Sequence, residues 1–217
     1  HRPVEGANDQ VPELPEVEAL SDFLRERLVG RVVARVDVAG IAALSTREAA
    51  ALARAAADAG CAGLMVLPPY VYQGSWDEMH AHLDAVITAT PLGCMLYNNP
   101  IAYGTDFLPA QVQVLAAQHA NLHAVKDSSG DVRRITAMRT LLGDRLALYV
   151  GLDDAVVEGV AAGAVGWVAG LVNALPRESV VLFEQAVGGG HAEARALYAW
   201  FLPLLRIDTV SSFVQLL

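Results

Sequence analysis

From residue 45 onward, short apolar segments alternate with longer segments rich in helix-forming residues, and this alternation limits the fold more than any other feature. The apolar segments, which we predict to be strands, lie at 63–69, 94–100, 122–129, 145–151 and 165–172. The predicted helices lie at 45–60, 75–90, 108–119, 131–144, 153–164, 176–187 and 191–206. Strands that are apolar throughout are typical of a sheet covered on both faces, so this order predicts parallel βαβ units.

Two of the predicted helices open with a capping sequence. Ser45 is followed three residues later by Glu48, and Ser75 is followed by Glu78. In such a capping box, each of the two side chains accepts a hydrogen bond from the backbone N–H of the other residue. We therefore expect helices to begin directly after Ser45 and Ser75.

The first 40 residues have a different pattern. They contain one amphipathic helix at about 15–29 and an alternating strand at 32–40, which brings the number of barrel-type strands to six. We therefore predict an α/β fold that is a partial (β/α)8 barrel lacking the first two βα units. An open doubly wound sheet would fit the same alternation. However, neither G-x-G-x-x-G nor GxxxxGK[ST] follows any predicted strand, which removes the main support for a nucleotide-binding version.

Polar residues and prolines gather directly after the predicted strands. They are Pro68, Asn98, Asn99, Asp127, Ser128, Asp153 and Asn173. In a parallel barrel these positions form the mouth at the carboxyl ends of the strands, where active sites lie.

Lys126 is the only lysine in the chain, and the other fourteen basic side chains are arginine. It lies at the end of a predicted buried strand, where partial desolvation disfavours its charged form. The free amine that results can attack a carbonyl and form a Schiff base, which arginine cannot do. The alternative is a structural lysine that extends toward solvent from the strand end or pairs with Asp127.

Tyr97 ends the preceding strand, and adjacent strand ends face the same barrel mouth. A tyrosine hydroxyl near an imine can pass protons between the successive intermediates. The alternative is that the ring only fills the top of the barrel.

The other titratable residues are weaker candidates for chemistry. We expect Asp153 and Asp154 to begin a helix, where its dipole stabilises them. We expect His80 and His82 to lie on different faces of a helix and to be solvated, and His123 to lie in the core within a strand.

Charge and composition exclude several classes of function. The net charge of −9 disfavours binding to a phosphate backbone, so we expect no nucleic-acid partner. The longest apolar run, 159–172, is shorter than the ~18 residues of a membrane span, and the first ten residues lack the apolar core of a signal peptide.

Cys61 and Cys94 stand alone, without CxxC or zinc spacing, so we expect no metal, no cofactor and a reducing cytoplasm.

The stretches LMVLPPY, CMLYNNP and HAVKDSSGD, with the region 151–153, resemble the dihydrodipicolinate synthase / N-acetylneuraminate lyase family. The resemblance runs from about residue 38 to the C-terminus. It implies a class I aldolase-type (β/α)8 barrel, usually a homotetramer. It also implies that Lys126 forms a Schiff base with pyruvate or a related 2-oxo acid and that Tyr97 relays protons. Gly151 and Val168 match positions that line the 2-oxo acid pocket through backbone groups.

The chain departs from the pattern of this family at several points. A GTTGE-type stretch, whose threonines hold the substrate carboxylate, is absent before residue 38, and the chain ends at FVQLL where the family continues through further helices. The arginine that dihydrodipicolinate synthases carry five residues after the relay tyrosine is Ala102 here, which argues against the lysine-biosynthesis substrate. The family's second tyrosine, which reaches into a neighbouring subunit's site, is Val71. The stretch YNNPIAYGTDF is more similar to members acting on 2-oxo acids from hydroxyproline or sugar-acid catabolism.

Residues 12–38 resemble instead the N-terminus of formamidopyrimidine-DNA glycosylases, which use the amine of an N-terminal proline beside a glutamate. These residues would be Pro12 and Glu13, but Pro12 is internal and its nitrogen is an amide. We therefore divide the chain into a tail at 1–11, a glycosylase-like helix and strand at 12–40, and a truncated barrel domain at 41–217.

Three functions remain open from the sequence. We predict a Schiff-base lyase that acts on pyruvate or a related small 2-oxo acid and forms a homo-oligomer. The alternative is a catalytically inactive remnant, because a barrel that does not close leaves sheet edges unpaired. A DNA glycosylase fragment is the distant alternative, disfavoured by the acidic net charge.

Overall fold

The computed structural model describes residues 38–189, 191–210, 212 and 215. Its strands are β1 (Val38–Ile41), β2 (Gly63–Val66), β3 (Gly93–Asn98), β4 (Leu122–Asp127), β5 (Ala147–Val150) and β6 (Gly166–Trp167). Its helices are α1 (Thr46–Asp58), α2 (Trp76–Thr88), α3 (Pro100–Tyr103), α4 (Pro109–Gln118), α5 (Arg133–Leu142), α6 (Val156–Ala161), α7 (Pro176–Val187) and α8 (His191–Leu205). The helix predicted at 15–29 and the start of the strand predicted at 32–40 lie outside the described residues.

The six strands form one sheet in the order β1-β2-β3-β4-β5-β6, and every neighbouring pair is parallel. At least one helix lies in each connection between neighbouring strands. Strands that follow each other in chain order, each joined through a helix, are the arrangement of a (β/α)8 barrel. A doubly wound sheet would instead reverse its strand order at one point. The prediction of a partial (β/α)8 barrel with six strands is therefore confirmed.

The two capping sequences mark the helix starts as predicted. The backbone N–H of Glu48 donates to Ser45 Oγ over 3.3 Å, and α1 begins at the next residue after Ser45. At α2 the box is complete, since the Ser75 N–H donates to Glu78 Oε2 over 2.7 Å and the Glu78 N–H donates to Ser75 Oγ over 3.4 Å.

The main core lies between the sheet and the helices that cover it. Its fully buried members include Leu64, Val66, Leu83, Leu96, Leu115, Leu122 and Leu148. A second cluster joins α6, α7 and α8 and consists of Val156, Leu171, Leu182, Phe201 and Leu205. This second cluster packs α7 and α8 against the end of the sheet, because Val156 precedes β6 in the chain and Leu171 follows it.

Most predicted elements are shorter at their ends in the structure, and two of them also differ in type over part of their length. The strand predicted at 165–172 has only the two residues of β6, and a 3-10 turn follows at Leu171–Asn173. The helix predicted at 153–164 begins as a 3-10 turn at Asp153–Ala155 and continues as α6. In the part of the chain that the structure describes, no helix is both long and apolar enough to cross a membrane.

Candidate active site

Tyr97 and Lys126 lie side by side at the carboxyl ends of β3 and β4, where they are partners in the strand register. Both side chains are buried, with 6% and 8% of their surface exposed. Lys126 Nζ lies over the Tyr97 ring, 3.9 Å from its centroid. The two residues predicted to carry the chemistry are thus in contact, because parallel strands bring their carboxyl ends to one edge of the sheet.

The amine of Lys126 is not held by the neighbouring carboxylate. Asp127 accepts hydrogen bonds from Asn98 Nδ2 over 3.0 Å and from the backbone N–H of Ser129 over 3.1 Å. Ser129 Oγ also donates to Asp127, over 2.5 Å. Within the described residues no ion pair joins Asp127 to Lys126. The alternative in which Asp127 neutralises the lysine therefore has no support in the geometry.

A second network holds Tyr97 from the following turn. Asn99 Nδ2 donates to the Tyr97 hydroxyl over 2.9 Å. Asn99 Oδ1 accepts from the backbone N–H of Ala102 over 3.1 Å and so caps α3. The first turn after β3 thus orients the phenol, and neither bond was predicted from the sequence.

Gly151 lies directly beside Lys126. Its N–H donates to the Asp127 carbonyl over 2.8 Å. A Cβ at this position would overlap Ser128 Oγ and would lie 3.0 Å from Lys126 Cε. The lack of a side chain therefore allows Ser128 Oγ and Lys126 Cε to pack closely against the backbone of this residue. Val168 follows β6 at the same edge of the sheet, and its N–H donates to the Val150 carbonyl over 3.0 Å.

Aromatic residues form a wall around the phenol. Tyr103 packs edge-on against Tyr97 with ring centroids 5.9 Å apart, and Tyr70 lies 6.5 Å from Tyr103. The hydroxyls of Tyr103 and Ser128 are buried and have no hydrogen-bond partner among the described residues. Buried hydroxyls are usually paired, so these two are the groups that a bound polar ligand would satisfy. The sequence offered one signal for Tyr103, namely its place in the turn six residues after Tyr97.

Tyr149 is a further residue that sequence analysis missed. It lies on β5, where it is the register partner of Lys126 on β4 and of Gly166 on β6. A Cβ on Gly166 would overlap the Tyr149 ring, so the glycine leaves room for the ring. A single tyrosine within an otherwise apolar stretch does not indicate a position beside Lys126.

Asp153 begins the helical segment as predicted, but its carboxylate is held by groups at the end of β6 and after it rather than by a helix dipole. Its carboxylate is fully buried and accepts from Trp167 Nε1 over 3.1 Å, from the Gly170 N–H over 3.0 Å and from the Leu171 N–H over 2.7 Å. Burial, followed by the charge of Asp208, raises the pKa of Asp153 to about 7. The N–H groups of Gly170 and Leu171 donate to this carboxylate and not to a neighbouring strand. The strand predicted at 165–172 therefore ends early.

Two histidine predictions are wrong. His82 is buried rather than solvated, and its Nδ1 lies 2.8 Å from Thr46 Oγ1 on α1. His123 is exposed rather than in the core, although Leu122 before it and Ala124 after it are buried, because its side chain points to the opposite face of the strand. In the described ranges, no group of three or more His, Cys, Asp or Glu side chains is placed to hold a metal ion.

The sequence and the fold both match one family of known proteins. A sequence model of the dihydrodipicolinate synthetase family matches residues 16–217, and so begins before residue 38, where we see the resemblance begin. The 4-hydroxy-tetrahydrodipicolinate synthase of Sorangium cellulosum is 34% identical over 201 residues, which are 92% of this chain and 66% of that protein. The enzyme of the same name from Clostridium perfringens is 32% identical over 167 residues, which are 77% of this chain and 57% of that protein. The chain thus spans less than two thirds of the length of these curated relatives.

Solved structures agree with this assignment. The dihydrodipicolinate synthase from Aquifex aeolicus superposes with a TM-score of 0.78 at 25% identity, covering 93% of this chain and 67% of that chain. YagE, a prophage protein of the dihydrodipicolinic acid synthase family from E. coli K12 solved in complex with pyruvate, gives a TM-score of 0.77 at 25% identity, covering 94% and 68%. With Lys126 and Tyr97 adjacent at the mouth of a partial (β/α)8 barrel, the chain belongs to the dihydrodipicolinate synthetase family.

Proposed function

We propose that this protein is a class I lyase that binds pyruvate or a related small 2-oxo acid as a Schiff base on Lys126. The observation that carries the proposal is the position of Lys126 Nζ, 3.9 Å from the centroid of the Tyr97 ring in a buried site at the carboxyl ends of two parallel strands. Membership of the dihydrodipicolinate synthetase family supports it. The chain spans 66% of the length of its Sorangium cellulosum relative. The activity of that whole enzyme is therefore only proposed for this chain.

The proposed reaction begins at the lysine amine. The Lys126 nitrogen attacks the C2 carbonyl carbon of the 2-oxo acid, and the carbonyl oxygen leaves as water after accepting two protons. The product is a protonated imine, whose positive charge withdraws electrons from C3. A proton on C3 then becomes acidic, and its loss gives an enamine that can form or break a bond at C3.

Tyr97 is placed to move protons in this sequence. Its hydroxyl accepts a hydrogen bond from Asn99 Nδ2 over 2.9 Å, and the ring lies beneath Lys126 Nζ. Tyr103 packs against this ring with the two ring planes nearly perpendicular. We assign to the Tyr97 hydroxyl the transfer of protons to and from the departing oxygen and C3.

Backbone groups at Gly151 and Val168 are the proposed contacts for the rest of the 2-oxo acid. The Gly151 N–H is already bonded to the Asp127 carbonyl, so the group left at this residue is its own carbonyl, which can accept a hydrogen bond from the N–H of the protonated imine. Ala102 provides no charge in α3, which favours a second substrate other than that of the named synthases. The unpaired hydroxyls of Tyr103 and Ser128 would suit a substrate with a further hydroxyl group.

Reductive trapping tests the proposal directly. The protein is incubated with pyruvate and borohydride, which delivers a hydride to the imine carbon and leaves a stable secondary amine. We expect one adduct, located on Lys126 by peptide mass spectrometry. Lys126→Arg is the matched control, because it keeps a positive charge and a long side chain but cannot form the imine.

The result also separates the proposal from its alternative. Adduct formation in Lys126→Arg would assign the reaction to another group. The absence of any adduct in the unmodified, folded protein would leave the inactive remnant as the better description. Folding is checked independently by cooperative thermal unfolding.

A further inference from the structure

Tyr103 belongs to the aromatic wall beside the proposed imine site. Lys126 Nζ lies 3.9 Å from the centroid of the Tyr97 ring, and Tyr103 packs edge-on against the same ring with the two centroids 5.9 Å apart. Leu67, which follows β2, is buried with the two tyrosines, and Tyr70 packs against this cluster. Tyr103 thus contacts the ring that lies beneath the proposed reacting nitrogen.

The hydroxyl group of Tyr103 is not needed for this packing. Only 8% of Tyr103 is exposed, and its hydroxyl oxygen is buried without a hydrogen-bond partner among the residues that the structure describes. A buried hydroxyl that is not paired destabilises a fold, whereas phenylalanine would keep the edge-on contact without an unpaired group. A ligand that binds beside the ring and pairs with the hydroxyl would explain why tyrosine is present.

The local backbone keeps the Tyr103 ring in this place. Tyr103 is the last residue of α3, whose first turn is capped by Asn99. Gly104 follows in the left-handed region, with a φ of +68°, and its N–H donates to the Pro100 carbonyl over 2.9 Å. A Cβ at Gly104 would overlap the Gln73 side chain. The backbone on both sides of Tyr103 is therefore fixed, and the ring stays against Tyr97.

The aromatic wall offers no cation to a charged substrate. Its members carry no formal charge, and they are Met65, Leu67, Tyr70, Tyr97 and Tyr103. The sequence of α3, PIAY, contains no basic residue. Arg134 reaches the loop after α3, but both of its terminal nitrogens donate to Asp106. A carboxylate placed against this wall would lose its water without gaining a counter-ion.

We propose that Tyr103 is a specificity-determining residue: its hydroxyl binds a hydroxyl group on the part of the substrate beyond C3, so that the site selects an uncharged, hydroxylated 2-oxo acid chain over one that ends in a second carboxylate. This inference rests on the proposed Schiff-base function. A site with a buried partner for a substrate hydroxyl discriminates against the analogue that lacks it, because the protein group is then left unpaired.

The length of a four-carbon chain fits this contact. In the imine, bonds of about 1.5 Å place a hydroxyl on C4 about 5 Å from the lysine nitrogen. The Tyr103 ring lies against the ring beneath that nitrogen, so a chain of this length reaches the aromatic wall. Pyruvate has three carbons and carries no group that could pair with Tyr103.

The test measures imine formation with 2-oxo acids that differ at this position. The protein is trapped with cyanoborohydride and 4-hydroxy-2-oxobutanoate, 2-oxopentanoate or 2-oxoglutarate, and each adduct on Lys126 is identified by its mass. In 2-oxopentanoate a methyl group replaces the hydroxyl, and 2-oxoglutarate ends in a carboxylate. We expect the concentration for half-maximal labelling to be about tenfold higher for each of these two than for the hydroxylated acid.

Tyr103→Phe should remove the preference for the hydroxyl. The ratio between 2-oxopentanoate and 4-hydroxy-2-oxobutanoate should fall to about one, while the half-maximal concentration of pyruvate stays the same. The melting temperature should be equal or higher, because an unpaired buried hydroxyl is removed. Tyr72→Phe is the matched control, since it removes an exposed hydroxyl and should leave every ratio unchanged.

Equal labelling by 4-hydroxy-2-oxobutanoate and 2-oxopentanoate in the unmodified protein would overturn the inference, and this comparison does not depend on the folding of a variant. A preference that persists in Tyr103→Phe would assign the recognition to another group. A lower melting temperature of Tyr103→Phe would show that the hydroxyl already has a partner within the protein, which would also contradict the inference. Failure of pyruvate to form any adduct is a different result, because it would contradict the proposed function itself.

Discussion

Asn98 on β3 and Asp127 on β4 are joined by a hydrogen bond of 3.0 Å between their side chains, one residue beyond Tyr97 and Lys126. Asn98 has no exposed surface, and its Oδ1 accepts from the Phe107 N–H over 3.0 Å. The bond therefore connects two strand ends and the loop that follows α3. It fixes the separation of the two residues to which the proposed reaction assigns the amine and the phenol.

Asn98→Ala should be strongly destabilising. The substitution leaves the Phe107 N–H and one Asp127 oxygen without these partners in a buried site, for which we expect a loss of about 2 to 3 kcal/mol in the free energy of unfolding. Urea denaturation measures this loss. Asn99→Ala is the matched control, since it removes the α3 cap and should cost only about 1 kcal/mol. Equal losses in the two variants would show that the Asn98 network is not what holds the strand ends.

Tyr97→Phe should separate imine formation from proton transfer. The ring remains beneath Lys126, so trapping with pyruvate should persist, whereas transfer at C3 should slow by about 10²-fold. Exchange of the pyruvate methyl hydrogens for deuterium, followed by NMR, measures this step without knowledge of the second substrate. Tyr72→Phe removes an exposed hydroxyl and should leave the exchange rate unchanged. An unchanged rate in Tyr97→Phe would restrict this tyrosine to packing.

Gly151→Ala should prevent adduct formation while the protein stays folded. The added methyl group would overlap Ser128 Oγ and would approach Lys126 Cε and the Asp127 carbonyl at 3.0 and 3.1 Å. Gly40→Ala is a matched glycine control, because a Cβ there meets nothing within 4 Å. Trapping yield and melting temperature are measured together. Full labelling of Gly151→Ala would mean that close packing at this glycine is not required for the 2-oxo acid to reach Lys126.

The Asp153 carboxyl should make stability depend on pH. Because its pKa rises from 3.8 to about 7 on folding, the folded protein binds more protons than the unfolded chain between these values. The free energy of unfolding therefore falls as the pH rises through this range. We expect the melting temperature to decrease from about pH 5 to about pH 8, and Asp153→Asn to flatten the decrease.

Asp131→Asn is the control for this pH dependence. A hydrogen bond from Arg133 lowers the pKa of Asp131, so its contribution to stability is lost only at more acidic pH. This variant should keep the slope of the unmodified protein between about pH 5 and about pH 8. A slope that Asp153→Asn leaves unchanged would assign the titration to other groups.

Sequence reasoning succeeded where the information was local. Apolar runs and capping residues located the strands and most helices, and the rule that parallel strands end together placed Tyr97 beside Lys126. The partners of Asp153 could not be found in this way, because Asp208 lies 55 residues along the chain. His82 and His123 were misplaced because burial on a helix or strand depends on which face the neighbouring elements cover.

The order of the strands also has an evolutionary consequence. Tyr97, Lys126 and Gly151 belong to three successive βα units, and each unit contacts mainly its neighbours in the sequence. The residues of the proposed imine site therefore lie in one uninterrupted stretch of 55 residues, from Tyr97 to Gly151, a length that fits about two βα repeats. Recombination could replace the βα units that precede β3. It would change the residues around the part of a substrate that is remote from the imine, but it would not separate Lys126 from Tyr97. Exchange of segments can thus change the substrate range of such a barrel, while the residues of the proposed imine site at its mouth are transmitted as one block.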